Sequence, residues 1–335
     1  MDQAKDNSKR LSYKVSILVP IYNVERFIEK CAVSLLEQDY CNIQYVFVND
    51  CTPDNSMEVL QRVIERYPHR NIVVINHEKN KGLSAARNTA VKVAEGEFVM
   101  HVDSDDYLSD NTAVSQLMQC QQQEQADVVI YDMQHVFADK CVVETACVPK
   151  DKVAYVNKIL SRQTPVCVCG GVYRKSLYTE RNIWAIEGLN YGEDYVTKPR
   201  LIYYANKVAH LKKPFYCYVH TNELSYTRNF SSNVVRDQKW ALQLLEDFFT
   251  ARLDVLLYAK AMKQAYARCK AECLIAWGLG NGTKEDFDSI CSIKANMWQP
   301  LPVKLRLVLI LAAWHMRHIL AMYSKMGLAI KSLLK

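Results

Sequence analysis

"FVMHVDSDDY", residues 98–107, decides how the rest of the chain is read. An apolar run of strand length stops in three carboxylates, Asp103, Asp105 and Asp106, within four residues. Like charges this close raise one another's pKa, and a plain turn needs only one Asp or a Gly. Three aspartates at the end of a buried strand therefore ask for a positive partner.

Working outward, the same strand pattern recurs upstream. Apolar runs at 15–22, 43–50, 71–77 and 97–103 alternate with helix-spaced segments at 25–37, 53–67 and 83–94. A helix over 112–123 and a strand over 127–132 follow. Fully apolar strands alternating with amphipathic helices predict an α/β, Rossmann-like, mostly parallel sheet with helices on both faces. Ligands in such sheets bind beyond the carboxyl ends of the strands, and Tyr22, Asn49, Asp50 and the 103–106 cluster fall there. Past residue 133 the pattern loosens. Helices are expected at 151–162 and 194–206, a strand at 214–220, two long helices within 233–277 and a loop at 280–287.

Half of the 335 residues are hydrophobic, so a large core is available and global disorder is excluded. The twelve cysteines show no disulfide spacing, and no secretory signal precedes them, as expected of a reducing cytosol. The Cys167/Cys169 pair lacks a second pair or a His partner and reads as core. The net charge of +6 is mild, and its basic residues are not interleaved with aromatics, which argues against nucleic acid. No acidic residue follows Asp288, while Lys294, Lys304, Arg306, Arg317, Lys325, Lys331 and Lys335 do. Leu305, Val308, Leu309, Ala312, Met316, Ile319, Leu320 and Tyr323 recur there at helical spacing. A basic amphipathic helix over 302–335 suits either an anionic membrane surface or packing on its own domain.

For the aspartate cluster, a hard divalent cation is one account, since Mg²⁺ and Mn²⁺ take oxygen ligands and remove the repulsion. The other is an acidic helix start, which explains Asp110 and Asp106 but leaves Asp103 and Asp105 unexplained.

With "VSILVPIYN", "VNDCTPDNS", "NKGLSAARNTA" and "MHVDSDDYL" in this order, the chain from Val15 to Tyr107 resembles an inverting family 2 glycosyltransferase of the GT-A fold. The resemblance implies a glycosyltransferase domain over 14–225, with a nucleotide-sugar half (14–107) and an acceptor half (108–225). A flexible tail (1–13) precedes it and a helical C-terminal region (226–335) follows. It implies that Pro20 and Tyr22 wall a uracil pocket and that Asp50 accepts from the uracil imide. Arg87 would face the sugar–diphosphate region, Asp103 and Ser104 would lie on the sugar nucleotide, and Asp105 would be the principal ligand of Mn²⁺ or Mg²⁺. His220 is a second metal ligand on this reading, and Arg228 a pyrophosphate contact. Asn49, Cys51 and Pro53 depart from the family's D-D-G-S-x-D turn. In "NYGEDYVTKPRL", Asp194 matches the catalytic base and Glu193 its neighbour, with a helix-capping pair as the rival reading.

The expected activity is metal-dependent transfer of a sugar from a UDP-sugar to a hydroxyl of a glycan acceptor in cell-surface polysaccharide biosynthesis. The membrane reading adds a lipid-linked acceptor and a cytoplasmic protein peripheral to the inner face of the cell membrane. The rival function is a catalytically inactive nucleotide-sugar-binding or scaffolding protein with a worn copy of the fold.

Overall fold

A computed structural model describes residues 13–222, 232–279, 283–295 and 300–333. Arg228 and all of the expected N-terminal tail except Tyr13 lie outside the described residues. The elements in chain order are β1 (Val15–Ile21), α1 (Ile28–Leu36), β2 (Ile43–Asn49), α2 (Ser56–Ile64), β3 (Asn71–Asn76), α3 (Leu83–Val93), β4 (Phe98–His101), β5 (Tyr107–Leu108), α4 (Ala113–Glu124), β6 (Val128–Val136) and β7 (Cys141–Glu144). After them come α5 (Lys152–Leu160), β8 (Gly171–Arg174), α6 (Ser176–Thr179), α7 (Glu193–Tyr204), β9 (Val208–Val219), α8 (Ser232–Thr250), α9 (Ala259–Leu279), α10 (Lys284–Cys291), α11 (Val303–Ala313) and α12 (Arg317–Leu333).

Two compact units emerge. The first gathers the chain up to Val148, Val168–Glu187 and Tyr204–Thr221; the second takes Pro149–Cys167, Gly188–Tyr203 and the chain from Asn222 onward. The division differs from the expected boundary near residue 225 because α5 and all of α7 except Tyr204 belong with the C-terminal helices. α5 packs on α9, the Tyr195 hydroxyl donates to the Leu160 carbonyl, and Arg162 pairs with Glu272 at 2.6 Å.

The first unit holds one sheet, nine-stranded among the described residues, in the order β3-β2-β1-β4-β8-β6-β9-β5, with β7 on β6. β1, β2, β3 and β4 run parallel. β1, buried at every position, lies between β2 and β4, where apolar residues are needed on both faces. Right-handed crossovers put α1 and α2 on one face and α3, which returns across β2 and β1, on the other. Beyond β4 the sheet is mixed. β8 runs antiparallel between β4 and β6, and β6 pairs in parallel with β9. The β1/β4 boundary is therefore the switch in strand order, with Tyr22 beyond one strand end and Asp103–Asp106 beyond the other.

The amino ends of these strands are held by a buried polar network. The Ser16 hydroxyl donates to Gln44 Oε1 at 2.6 Å, the Gly96 N–H donates to Ser16 Oγ at 2.9 Å, and the Glu95 N–H donates to Gln44 Oε1 at 2.8 Å. The backbone closes round Gly96 so tightly that a Cβ would sit 2.6 Å from the Ser16 nitrogen and 2.7 Å from two carbonyl oxygens.

In the second unit α9 touches α5, α8, α10, α11 and α12. α9 and α12 meet closely at Gly278, where a Cβ would lie 2.7 Å from Ser324 Oγ. The expected loop over 280–287 instead contains the start of α10, because Thr283 and Asp286 form a capping box and Phe287 and Ile290 are buried. The expected single C-terminal helix is two. His315 adopts φ 52°, and the Met316 and His315 N–H groups donate to Leu311 and Ala312 at 2.9 and 3.0 Å, a Schellman ending. Among the described residues no helix is long and apolar enough to cross a membrane.

Gly96→Ala is expected to destabilise the protein by about 2–3 kcal/mol, read as a lower urea midpoint at unchanged slope.

Candidate active site

Asp50 follows β2 and is 3% exposed. Its Oδ1 accepts from His77 Nδ1 at 2.7 Å and from the Lys81 N–H at 2.9 Å, and its Oδ2 accepts from the Gly82 N–H at 2.7 Å. A carboxylate only accepts, so His77 Nδ1 carries a hydrogen, and Nε2 lies 2.9 Å from Thr89 Oγ1. Gly82 is at φ 88°, a conformation glycine adopts freely. Three of about four acceptor positions on Asp50 are thus filled from within the protein.

Pro20 is buried, and Tyr22 just beyond it is 48% exposed. The turn after Asp50 is held from several directions. The Asn23 N–H donates to Thr52 Oγ1 at 2.7 Å, Thr52 Oγ1 donates to Asp54 Oδ1 at 2.6 Å, and the Glu25 N–H donates to Asp54 Oδ2 at 2.8 Å. Burial pushes the Asp54 pKa up, but hydrogen bonds from Ser56, Thr52 and the backbone outweigh it and hold the carboxyl below its ordinary value. Cys51, where the resemblance leads one to expect glycine, is exposed and sits at φ 57°.

At the end of β4 the three aspartates have three different surroundings. Asp103 Oδ1 pairs with Arg87 Nη2 at 2.7 Å, and Cys169 Sγ lies 3.4 Å from Oδ2. Asp106 is buried. Its Oδ2 accepts from the Tyr216 hydroxyl and its Oδ1 from the Val219 N–H, both at 2.7 Å. Burial, and then the charges of Asp105 and Asp103, push its carboxyl well above the ordinary range. Ser104 is buried and Asp105 half-buried.

Residues 16–178 match the profile of Glycosyl transferase family 2. The uncharacterized glycosyltransferase EpsJ of Bacillus subtilis (strain 168) is 31% identical over 216 residues, 61% of this chain and 60% of that protein. TarS of Staphylococcus aureus (strain Mu50 / ATCC 700699), a poly(ribitol-phosphate) beta-N-acetylglucosaminyltransferase, is 30% identical over 219 residues, 63% of this chain and 36% of that protein. The chain thus spans 60% or less of the length of these two relatives. The crystal structure of S. aureus TarS 1-349 in complex with UDP-GlcNAc matches with a TM-score of 0.70 at 21% identity, covering 93% of this chain and 90% of that one. The mannosyltransferase PcManGT from Pyrobaculum calidifontis, in complex with GDP-Man and Mn²⁺, matches at 0.51 and 17% identity, covering 96% of this chain and 87% of that one.

Residues 16–178 are glycosyltransferase family 2 sequence.

With the GT-A fold, the chain brings Pro20, Tyr22, Asp50, Arg87, Asp103, Ser104 and Asp105 together in the first unit, around the carboxyl ends of β1, β2 and β4. Arg87 differs from expectation in its direction. Its side chain is 4% exposed and turned to Asp103, as a buried guanidinium must find a charge. His220 is stacked on Phe137, with centroids 4.2 Å apart. His220 Nε2 lies 2.8 Å from His135 Nδ1, and His135 Nε2 lies 2.9 Å from Glu144 Oε2.

In the second unit Glu193 and Asp194 open α7, half-buried. Gly192 before them is at φ 96°, and the Asn190 and Tyr191 N–H groups donate to Asp237 Oδ2 at 3.1 and 3.2 Å.

The donor set bears on a metal directly. No three His, Cys, Asp or Glu among the described residues are arranged to hold one. Asp103 is engaged with Arg87 and Asp106 with Tyr216 and Val219, and Asp105 is the half-buried carboxylate between them. One hard oxygen donor in a strongly negative surround fits a cation carried mainly by a ligand's phosphates and water. Sequence reasoning missed His77, Thr89, Cys169 and Tyr216, although His77, as a polar residue just past a strand's carboxyl end, carried the signal.

Cys51→Gly is expected to stabilise the protein by about 0.5–1 kcal/mol, the left-handed penalty less the entropy glycine adds to the unfolded chain; urea titration measures it. A second expectation concerns acid. His101 is buried, with Nε2 3.0 Å from the Tyr178 hydroxyl. Burial first, and then Arg87, bring its imidazole down to about 3. The unfolded chain therefore takes up this proton first, and stability falls as pH drops from about 6.5 towards 3, by up to ~1.4 kcal/mol per unit. His101→Gln should flatten that slope in urea titrations between pH 6 and 4.

Proposed function

We propose that the protein transfers a sugar from a UDP-sugar to a hydroxyl of a glycan acceptor, inverting the anomeric carbon, in cell-surface polysaccharide assembly. The observation that carries this reading is the convergence of Tyr22, Asp50 and Asp103–Asp106 on the switch in strand order, where α/β sheets bind nucleotides. The TarS structure, solved with UDP-GlcNAc, supports a uridine donor.

In this reading Pro20 and Tyr22 wall the base and the remaining acceptor position of Asp50 receives the uracil imide. Asp103 and Ser104 meet the ribose and sugar. Arg87 acts through Asp103, fixing its carboxylate and offsetting its charge. Asp105, with His220 as a second donor, would hold Mn²⁺ or Mg²⁺; PcManGT, solved with GDP-Man and Mn²⁺, supports a cation. Such a cation neutralises charge on a leaving diphosphate. Asp194 takes the proton of the acceptor hydroxyl as that oxygen bonds to the anomeric carbon and the bond to the diphosphate breaks on the opposite face. Glu193 supports Asp194. A lipid-linked acceptor at the inner face of the membrane suits the acid-free, basic C-terminal stretch.

Calorimetry of UDP with and without Mn²⁺, on the native protein and on Asp105→Ala, tests the donor site. Binding should need the metal and be lost in the variant; equal affinity in all four titrations would refute the cation. Asp194→Asn should lower kcat for transfer by ~10²–10⁴-fold and leave the UDP Kd unchanged. UDP binding with no turnover of any UDP-sugar would favour the binding-only alternative.

A further inference from the structure

α11 is apolar on two sides. One side, Val308, Leu309 and Ala312, is buried, and the helix packs on α9. The other side faces water: Val303 is 65% exposed, Leu307 44% and Trp314 70%. These positions are spaced by four and seven residues and share one helical stripe. Ile319 and Met322 on α12, 46% and 63% exposed, are further apolar side chains facing water beyond the His315 turn. A surface helix ordinarily turns charged or polar residues to solvent on this side, so the stripe is built to be covered.

The charges around it say by what. Lys304, Arg306 and Lys325 are exposed, and the chain has no Asp or Glu after Asp288. We propose that the α11–α12 stripe is a docking surface for an anionic phospholipid bilayer, lying in the headgroup plane with Val303, Leu307 and Trp314 inserted. This gives a surface and a partner chemistry to the membrane location proposed above, on which it rests. Apolar side chains of a flat-lying helix reach about 5–10 Å into the headgroup–acyl boundary. A tryptophan at one end and lysines on the rim suit that boundary, where indole is favoured and cations meet anionic headgroups. A second copy fits less well. A two-fold interface sets the same patch against itself, bringing Lys304, Arg306 and Lys325 towards their own copies with no acid on either helix to answer them.

The test is sedimentation of the full chain with phosphatidylcholine vesicles, with and without phosphatidylglycerol. It uses no sugar nucleotide, so failure here and failure of the transfer reading are seen separately. Binding is expected to need the anionic lipid and to weaken about tenfold at high salt. It should weaken roughly fivefold for each of Lys304→Glu and Arg306→Glu and be lost in Leu307→Glu with Trp314→Glu. Circular dichroism verifies the fold of each variant. Should the glutamate pair unfold, Leu307→Ala with Trp314→Ala takes its place, with a loss of binding again expected. Three results would overturn the proposal: no binding to anionic vesicles, binding unchanged in the apolar variants, or light scattering that shows a dimer dissociated by Leu307→Glu.

Discussion

The edge that carries the candidate site depends on accommodating three carboxylates within four residues, one of them buried. Asp103, Asp105 and Asp106 cannot all be treated alike, because burial and then Asp105 and Asp103 raise the cost of charging Asp106. The fold separates them chemically. Asp103 is given a guanidinium. Asp106 is taken into the interior, where Tyr216 and Val219 hold both oxygens and its carboxyl is pushed up. Asp105 is left half-buried at the edge. The field of the cluster reaches further still. The buried Cys31 thiol is pushed well up, by burial and then by Asp106, Asp105 and Asp103, and Tyr216 is raised by burial and then by Asp106. Any positive group arriving at this edge relieves several of these costs at once.

Asp50 works by the opposite principle. It is a single acid with three donors converging on it, from His77 and from two backbone N–H groups at the start of α3. Those bonds join the end of β2 to the β3–α3 connection, so the floor of the proposed base pocket is fixed by the protein's own hydrogen bonds.

Much of this could be read from the residues. The run from β1 to α4 was legible because fully apolar strands and amphipathic helices differ in period, and the strand ends located Tyr22, Asp50 and the cluster. Direction was not legible. Nothing in "SAARNTA" says that Arg87 turns inward to Asp103, since that depends on where β4 ends relative to α3. Strand β8 escaped notice because "GVYR" is too short to show a period, and it breaks the parallel order expected of the sheet. The helix over 284–291 hid behind its polar start, although Thr283 and Asp286 are spaced as a capping box. The C-terminal pattern ran through His315 without interruption because a left-handed histidine leaves no mark on hydrophobic periodicity.

The departure of the 49–54 turn from the family pattern is the one sequence feature that argued for a worn fold, and its geometry weakens that argument. Cys51 takes up the left-handed conformation that glycine would adopt freely, at a cost of about 1–2 kcal/mol. The neighbouring residues meet that cost. Asn49 Oδ1 accepts from the Thr52 N–H at 2.9 Å while its amide donates to Asn76 at 2.9 Å, and Asp54 gathers Thr52, Ser56 and Glu25. A turn that had lost its purpose would be free to relax to a conformation cysteine prefers. This one is held in a strained shape by at least five hydrogen bonds from both sides, and Asp50, immediately before the strained residue, keeps its place at the end of β2. Strain maintained against the preference of the residue that bears it clusters at ligand-binding sites in proteins generally, and this turn lies beside the edge proposed to hold the base.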